Sequence, residues 1–389
     1  MPKKKVVVIT GPGHHDVALA DILRKKGFQV KKVHYYPHFA VCTAGEKSAT
    51  PLFSLFYNTL SWFVWAVSAR WFFLKNKQRK LNILFPVYDF FAAFFLNHPD
   101  LLIGWSQVSL LSLKRAKRRG AVTLLESPMI HVSEWNALLE EEYEKFPKLR
   151  SRESIFSKPM LKRMLKEYKT AAYINVLSTY AASTFIANGV PASKLLVTAP
   201  GIDTTFFIPP KNKKQEGKFI VLFAGRLQLL KGVHNLIQAF KKVQLPEAEL
   251  WLCGLLFEEI KPFLEHTKNI KILPVADRTA LLRLYQSAHL FVLPSIQESF
   301  GLVLAEAMAC ALPVLASTNS GALDLIKDPQ FLFSPQKEGE LEQKLLWCYE
   351  NKVALEKAGQ RNLSYARKVC SLEKYEERFA SNLARILKQ

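Results

Sequence analysis

Two pairs of residues in the second half of this 389-residue chain have the types and spacing to hold a ligand. Glu298 and Glu306 sit eight positions apart inside Ser295 to Met308 (SIQESFGLVLAEAM), and Arg226 and Lys231 lie upstream, each beside a glycine, in Gly225-Arg226-Leu227 and Lys231-Gly232. The apolar run His289 to Pro294 reads as a short buried strand, and the polar bend after it feeds a helix opened by Phe300-Gly301. A strand end followed by a helix start offers unpaired backbone N–H groups and the positive end of a dipole, which favours an anion. A carboxylate aimed at phosphate would be repelled, so the two glutamates suit neutral hydroxyls, as on ribose and a sugar ring. Arg226 can grip a diphosphate with a fork of donors and Lys231 as a point charge. The implied ligand has both anionic and hydroxyl-bearing parts.

Glu298 and Glu306, with Phe300-Gly301-Leu302 between them, resemble the E-x7-E motif of the retaining glycosyltransferases of family 4. Gly225-Arg226-Leu227, Lys231-Gly232, Pro313 and Ser320-Gly321 follow the family's order. The resemblance covers the second half and, more weakly, the first. It implies the α/β GT-B fold, two Rossmann-like doubly wound parallel-sheet domains facing a central cleft. It further implies that Glu306 takes ribose hydroxyls, that Gly225, Arg226 and Lys231 face the diphosphate, and that Glu298 holds the sugar with the backbone of Phe300, Gly301 and Leu302. His131, just past a strand end in Glu126-Ser127-Pro128-Met129-Ile130-His131, matches the family's histidine that contacts the transferred sugar. Val132 stands where the family often has an acid, and serine and aspartate replace a glycine and a glutamate in Ser320-Gly321-Ala322-Leu323-Asp324. Gly13 belongs to a loop that in the family lies against the donor phosphates and the acceptor. The activity implied is hexosyl transfer with retention from a nucleoside-diphosphate sugar, a UDP- or GDP-sugar, to a glycan or lipid-linked acceptor in cell-envelope or polysaccharide synthesis. His131, Arg226, Lys231 and Glu298 would act in catalysis, and the departing phosphate would accept the acceptor's proton.

No D-x-D pair falls near a strand end and no His/Cys/Asp cluster has metal-ligand spacing, so no metal or other cofactor is expected. Neither a P-loop G-x4-G-K-[ST] nor a G-x-S-x-G elbow is present. The loop Gly11-Pro12-Gly13-His14-His15-Asp16 lacks the third glycine of a dinucleotide fingerprint, which argues against NAD. Two other classes stay open: a sugar-nucleotide epimerase or hydrolase on the same double domain, and a non-catalytic basic binder of membrane or nucleic acid. The binder leaves the two acids and two cations without purpose, and no nucleic-acid motif is found, so no nucleic-acid partner is expected.

The net charge of +21 is uneven, because residues 1–200 carry 29 Lys/Arg against 13 Asp/Glu. A surplus of that size calls for a polyanionic neighbour. Leu52 to Leu74 adds 17 apolar or aromatic residues in 23, with Trp62, Trp65 and Trp71, and the basic Lys75 to Lys80 follows. Its length matches a bilayer span. A span there would separate the first two strands from the rest of their sheet, so a buried hairpin or an interfacial insertion with aromatic anchors is expected. Leu84 to Leu96 (LFPVYDFFAAFFL) reads as more exposed aromatics, and with Lys114 to Arg119 (KRAKRR) it suggests a first domain facing an anionic membrane. Five scattered cysteines without a CxxC pair suggest reduced thiols, and no export signal is read at Lys3-Lys4-Lys5. The expected location is cytoplasmic, with a peripheral place on the cytoplasmic face of a membrane left open.

The elements that must position these residues alternate along the chain. Val6 to Ile9, a glycine loop, a helical pattern Val17 to Lys26 and a strand Phe28 to His34 open a doubly wound sheet. Asp100 to Trp105, Val122 to Leu125, Ala172 to Ser178 and Leu195 to Ala199 extend it. Phe219 to Ala224, Glu249 to Gly254, Ile270 to Leu273, His289 to Leu293 and Val314 to Ala316 make a second sheet. The expected divisions are an acceptor-binding domain over 1–205, a nucleotide-sugar-binding domain over 206–370 and a helix over 371–389 that returns to the first domain, with a polar linker at Lys211 to Lys218.

Overall fold

The computed structural model describes residues 4–10, 15–34, 40–43, 46–48, 59, 77–149, 154–211, 217–265 and 268–387. Gly13 and, Thr59 aside, the aromatic stretch 52–74 lie outside the described residues.

The first sheet has eight strands, in the order β4-β3-β2-β1-β5-β6-β7-β8. They are β1 (Lys5–Thr10), β2 (Gln29–His34), β3 (Ala40–Thr43), β4 (Glu46–Ser48), β5 (Leu101–Trp105), β6 (Val122–Glu126), β7 (Tyr173–Val176) and β8 (Leu195–Val197). The six from β2 to β8 in that order run parallel, while β3 and β4 add antiparallel at the edge. Among the described residues it is accompanied by α1 (His15–Lys25), α2 (Lys77–Phe94), α3 (Leu110–Arg118), α4 (Val132–Glu144), α5 (Lys158–Thr170) and α6 (Thr179–Ala187).

The second sheet is parallel throughout, in the order β11-β10-β9-β12-β13-β14. Its strands are β9 (Phe219–Ala224), β10 (Ala248–Cys253), β11 (Ile270–Leu273), β12 (Leu290–Leu293), β13 (Val314–Ser317) and β14 (Leu332–Phe333). Around it lie α7 (Val233–Val243), α8 (Arg278–Ser287), α9 (Leu302–Ala309), the single turn α10 (Ala322–Leu325), α11 (Glu340–Glu350) and α12 (Lys352–Val369), and the chain ends in α13 (Leu372–Leu387). The central strands are continuous apolar runs because helices cover both faces, and all four residues of β12 are buried. On α7, Val233, Leu236, Ile237 and Phe240 recur at helical spacing and are buried. Full burial of each larger side chain there contributes about 1.5–3 kcal/mol.

Leu84 to Leu96 departs from the sequence expectation of exposed aromatics. Most of it lies in α2, which buries Phe85, Tyr88 and Phe91 and exposes Ile83, Phe90 and Phe94. The Tyr88 hydroxyl donates to the Val33 carbonyl at 3.0 Å, so a segment that looks like a surface patch is partly the wall of the first core. Asp89, fully buried on the same helix, accepts from the backbone N–H of Leu111 (2.6 Å) and Ser112 (3.0 Å) at the start of α3 and pairs with Arg163 of α5. One carboxylate thereby fixes three helices.

The last helix, α13, packs on the first domain. Arg378 donates to the Ala199 carbonyl at 2.8 Å, Asn382 to Thr198 at 2.8 Å, and Phe379, Leu383 and Ile386 join the core under β1 and β5. The helix α4 spans both lobes. Val132 at its start belongs to the first core, whereas Leu139 and Tyr143 near its end are buried in the second.

Candidate active site

The four charged residues singled out in the sequence come from two loops and one helix at the carboxyl ends of strands β9 and β12. After β9 the chain turns through Gly225 and Arg226 into a short 3-10 turn, Leu229–Lys231, which ends on Gly232. Gly232 has φ +62°, and a Cβ there would lie 1.8 Å from the Pro294 carbonyl oxygen. Only glycine lets the Lys231 turn press against the end of β12 in this way. Ile296 N–H then donates to the Leu230 carbonyl at 3.1 Å and locks the two loops together.

Lys231 and Glu298, 67 positions apart in sequence, form an ion pair between half-buried side chains. Glu298 is also fixed through its backbone, which accepts from Gly321 N–H (3.1 Å) and donates to the Asn319 carbonyl (2.9 Å). The loops after β9, β12 and β13 therefore meet at one point. Arg226 is exposed and has no carboxylate partner among the described residues. An arginine fork and a lysine from one loop, the second shared with a carboxylate, can bind an anion beside a hydroxyl-bearing group.

Gly301, at φ +85°, caps α9, and its hydrogen lies where a Cβ would meet the Leu293 side chain at 2.8 Å. Phe300 is buried, Leu302 is half-buried on the first turn of α9, and Glu306 follows one turn later on the same face. Glu306 accepts from the Tyr285 hydroxyl of α8 at 3.0 Å. Burial pushes its carboxyl up to about 7, against the opposing pull of that hydroxyl and of Arg278. Arg278 itself pairs with Asp203 in the interdomain crossing at 2.9 Å and lies over the Phe206 ring at 4.3 Å.

His131 sits in the other domain, between the end of β6 and the start of α4. Its Nδ1 accepts from Ser133 N–H (3.3 Å) as the helix cap, and the His131 backbone N–H donates to the Thr184 hydroxyl (3.0 Å). The ring is 3% exposed and packs on Tyr168 and Phe185. Burial lowers its pKa to about 4, so the imidazole is neutral, and with Nδ1 accepting the proton resides on Nε2. A neutral imidazole with Nε2–H suits donation to a hydroxyl. Its partners all lie in the first domain, and no contact joins it to Lys231 or Glu298.

Three further residues shape the site. Tyr285 and Arg278 oppose the upward shift that burial imposes on Glu306, and nothing in their local sequence pattern distinguishes them from other helix residues. Asp324 accepts from Thr179 N–H (2.8 Å) and from the Thr179 hydroxyl, so the first turn of α6 in one domain is tied to α10 in the other. Because β7 leads to Thr179 and β13 leads to Asp324, this contact brings the carboxyl ends of the two sheets face to face. At the base of the interface, Tyr143 of α4 donates to Glu259 at 2.7 Å, and Glu259 accepts from Leu229 N–H at 2.8 Å in the turn that carries Lys231.

Two sheets, each with six parallel strands and with their carboxyl ends opposed, joined by a returning terminal helix, define a protein of the GT-B fold. Residues 205–368 match the model of the glycosyl transferases group 1. The chain is 34% identical over 150 residues to the D-inositol 3-phosphate glycosyltransferase of Arthrobacter sp. (strain FB24), a match covering 34% of this chain and 36% of that one. The corresponding enzyme of Xylanimonas cellulosilytica is 32% identical over 164 residues, 36% of this chain and 39% of the relative. The matched region thus spans less than two fifths of these relatives. Among solved structures, the sucrose-phosphate synthase of Thermosynechococcus elongatus superposes with a TM-score of 0.70 at 16% identity, covering 99% of this chain and 100% of the other. Anabaena HepE, solved in complex with UDP-glucose, gives a TM-score of 0.62 at 18% identity over 98% and 99% of the two chains. These likenesses show the fold.

Proposed function

We propose that the chain is a retaining, metal-independent glycosyltransferase that uses a nucleoside-diphosphate sugar. The observation that carries this reading is the junction of three strand-end loops at the Lys231–Glu298 pair. It sets a cation for phosphate against an acid for hydroxyls, with Arg226 on the same loop as the lysine. Glu306 takes the ribose hydroxyls, Arg226, Lys231 and Gly225 the diphosphate, and Glu298 with the Phe300 to Leu302 backbone the sugar. On binding, the diphosphate draws the Lys231 ammonium towards itself and frees Glu298 oxygens for sugar hydroxyls. As the anomeric bond breaks, negative charge grows on the departing phosphate, and two fixed cations stabilise it without a metal. His131 donates its Nε2–H to the sugar. The acceptor hydroxyl attacks on the face the phosphate leaves, and the phosphate oxygen takes its proton.

The UDP and UDP-glucose complexes of Anabaena HepE support a nucleoside-diphosphate sugar, a UDP- or GDP-sugar, as donor. The basic first domain supports an acceptor carried on a glycan or a lipid, met at the cytoplasmic face of an anionic membrane. Among the described residues no helix is long and apolar enough to cross a membrane.

Arg226→Ala tests the reading. It should cost about 3 kcal/mol of transition-state stabilisation, more than about a hundredfold in kcat/KM, with an unchanged melting temperature. Calorimetry with UDP, GDP and ADP should show one nucleotide preferred and its affinity reduced in the variant. Near-normal turnover with Arg226→Ala would remove the diphosphate clamp.

A further inference from the structure

The first domain's positive charge is gathered in part at the edge of the sheet opposite the cleft. Four cations line a cavity of about 700 Å³ there: Lys117 from the end of α3, Lys169 from the end of α5, Lys194 from the turn before β8, and Arg385 from the end of α13. Each of these helix ends and the turn lies next to the amino end of a strand, whereas Arg226, Lys231 and Glu298 lie at carboxyl ends. The cavity and the candidate active site therefore occupy opposite edges of their sheets.

No acidic residue lines the cavity, and none of the four cations has a carboxylate partner among the described residues. Two are instead pinned by backbone carbonyls. Lys194 donates to Tyr168 and, at 3.2 Å, to Lys169 at the end of α5, and Arg385 donates to Leu195 at 3.3 Å. Burial, and to a lesser degree Lys117, hold the Lys194 ammonium below its ordinary pKa. Elsewhere the fold neutralises close charges, as with Asp89 and Arg163 or Lys231 and Glu298. A Ser193 hydroxyl on the rim adds a neutral donor.

We infer that this cavity binds a phosphorylated group, a phosphate or diphosphate ester, at a site separate from the donor cleft. Such a group supplies the missing negative charge and accepts charge-assisted hydrogen bonds from several directions at once. The same chemistry is offered by a soluble phosphorylated metabolite and by the headgroup of an anionic lipid.

Pyrophosphate titrated by calorimetry into the full chain, into Arg226→Ala, and into the combined variant Lys117→Gln, Lys169→Gln and Arg385→Gln separates the two sites. The full chain should show two binding events. Arg226→Ala should weaken one and leave the cavity's. The combined variant should weaken the other by roughly a hundredfold or more, as expected for losing several charge-assisted bonds, and keep its turnover of donor. Co-sedimentation with vesicles containing phosphatidic acid identifies the source. Vesicle binding lost in the combined variant and displaced by pyrophosphate marks a lipid headgroup, and pyrophosphate binding lost without any change in vesicle binding marks a soluble ligand. A combined variant that is folded and binds pyrophosphate as the full chain does would overturn the proposal.

Discussion

Glu306 carries its charge state as a consequence of where it is placed. Burial holds its carboxyl up at about 7, while the Tyr285 hydroxyl stabilises the charged form. If Glu306 holds the ribose, as proposed, the ionised carboxylate is the better acceptor of its hydroxyls, so nucleotide affinity should rise with pH through 7 and fall by about tenfold per pH unit well below it. The sign for stability is the reverse. An acid raised above its unfolded value keeps its proton longer in the native state, so this residue's stabilising contribution is full below the ordinary glutamate range and is lost as pH rises through about 7. UDP calorimetry from pH 5.5 to 8, against Glu306→Gln, checks this, since the variant removes the residue's share of the pH dependence. Identical profiles would show that Glu306 does not titrate against the ligand. Of this, the sequence shows the acid and its spacing from Glu298. It does not show Tyr285, 21 positions back on another helix, because only the packing of α8 against α9 brings that hydroxyl near.

Between elements, the contact of Asp324 with Thr179 caps α6 from the opposite domain. A helix cap of this kind contributes about 1 kcal/mol, and here it also holds the two strand-end faces together. Asp324→Ala should lower stability by about that amount and enlarge the radius of gyration in solution scattering, while Asp324→Asn, which keeps an acceptor oxygen, should restore most of both. Unchanged melting and scattering in the alanine variant would show that the contact holds nothing. Most of the parallel strands were legible as apolar β-branched runs between helical patterns, because strands covered on both faces need no polar alternation. The edge strands β3, β4 and β14 were not, being short and sustained by pairing rather than by their own composition. The expectation of exposed aromatics in Leu84 to Leu96 failed for a related reason. Tyr88 and Phe91 face a core completed by β2, and a local pattern cannot say which side of an aromatic helix a distant strand will cover.

At the scale of the molecule, the uneven charge was legible as a count but not as a distribution. Folding places Lys117, Lys169, Lys194 and Arg385 around one cavity, while α2 of the same domain exposes Ile83 (43%) and Phe90 (60%). The membrane reading of the first domain predicts that the chain co-sediments with anionic vesicles, less so as salt rises, and that Phe90→Ser weakens the association several-fold. Absence of binding at low salt would reject it.

The path of α4 has a mechanical corollary. Its first residue is rooted in one lobe and its last turns are sunk in the other, where Tyr143 reaches Glu259 and, through it, the turn bearing Lys231. A rod anchored at both ends cannot let the lobes swing as on a loose string. Any widening of the gap would have to tilt the rod or break one of its two anchorages, and the imidazole that caps its tip would turn with it.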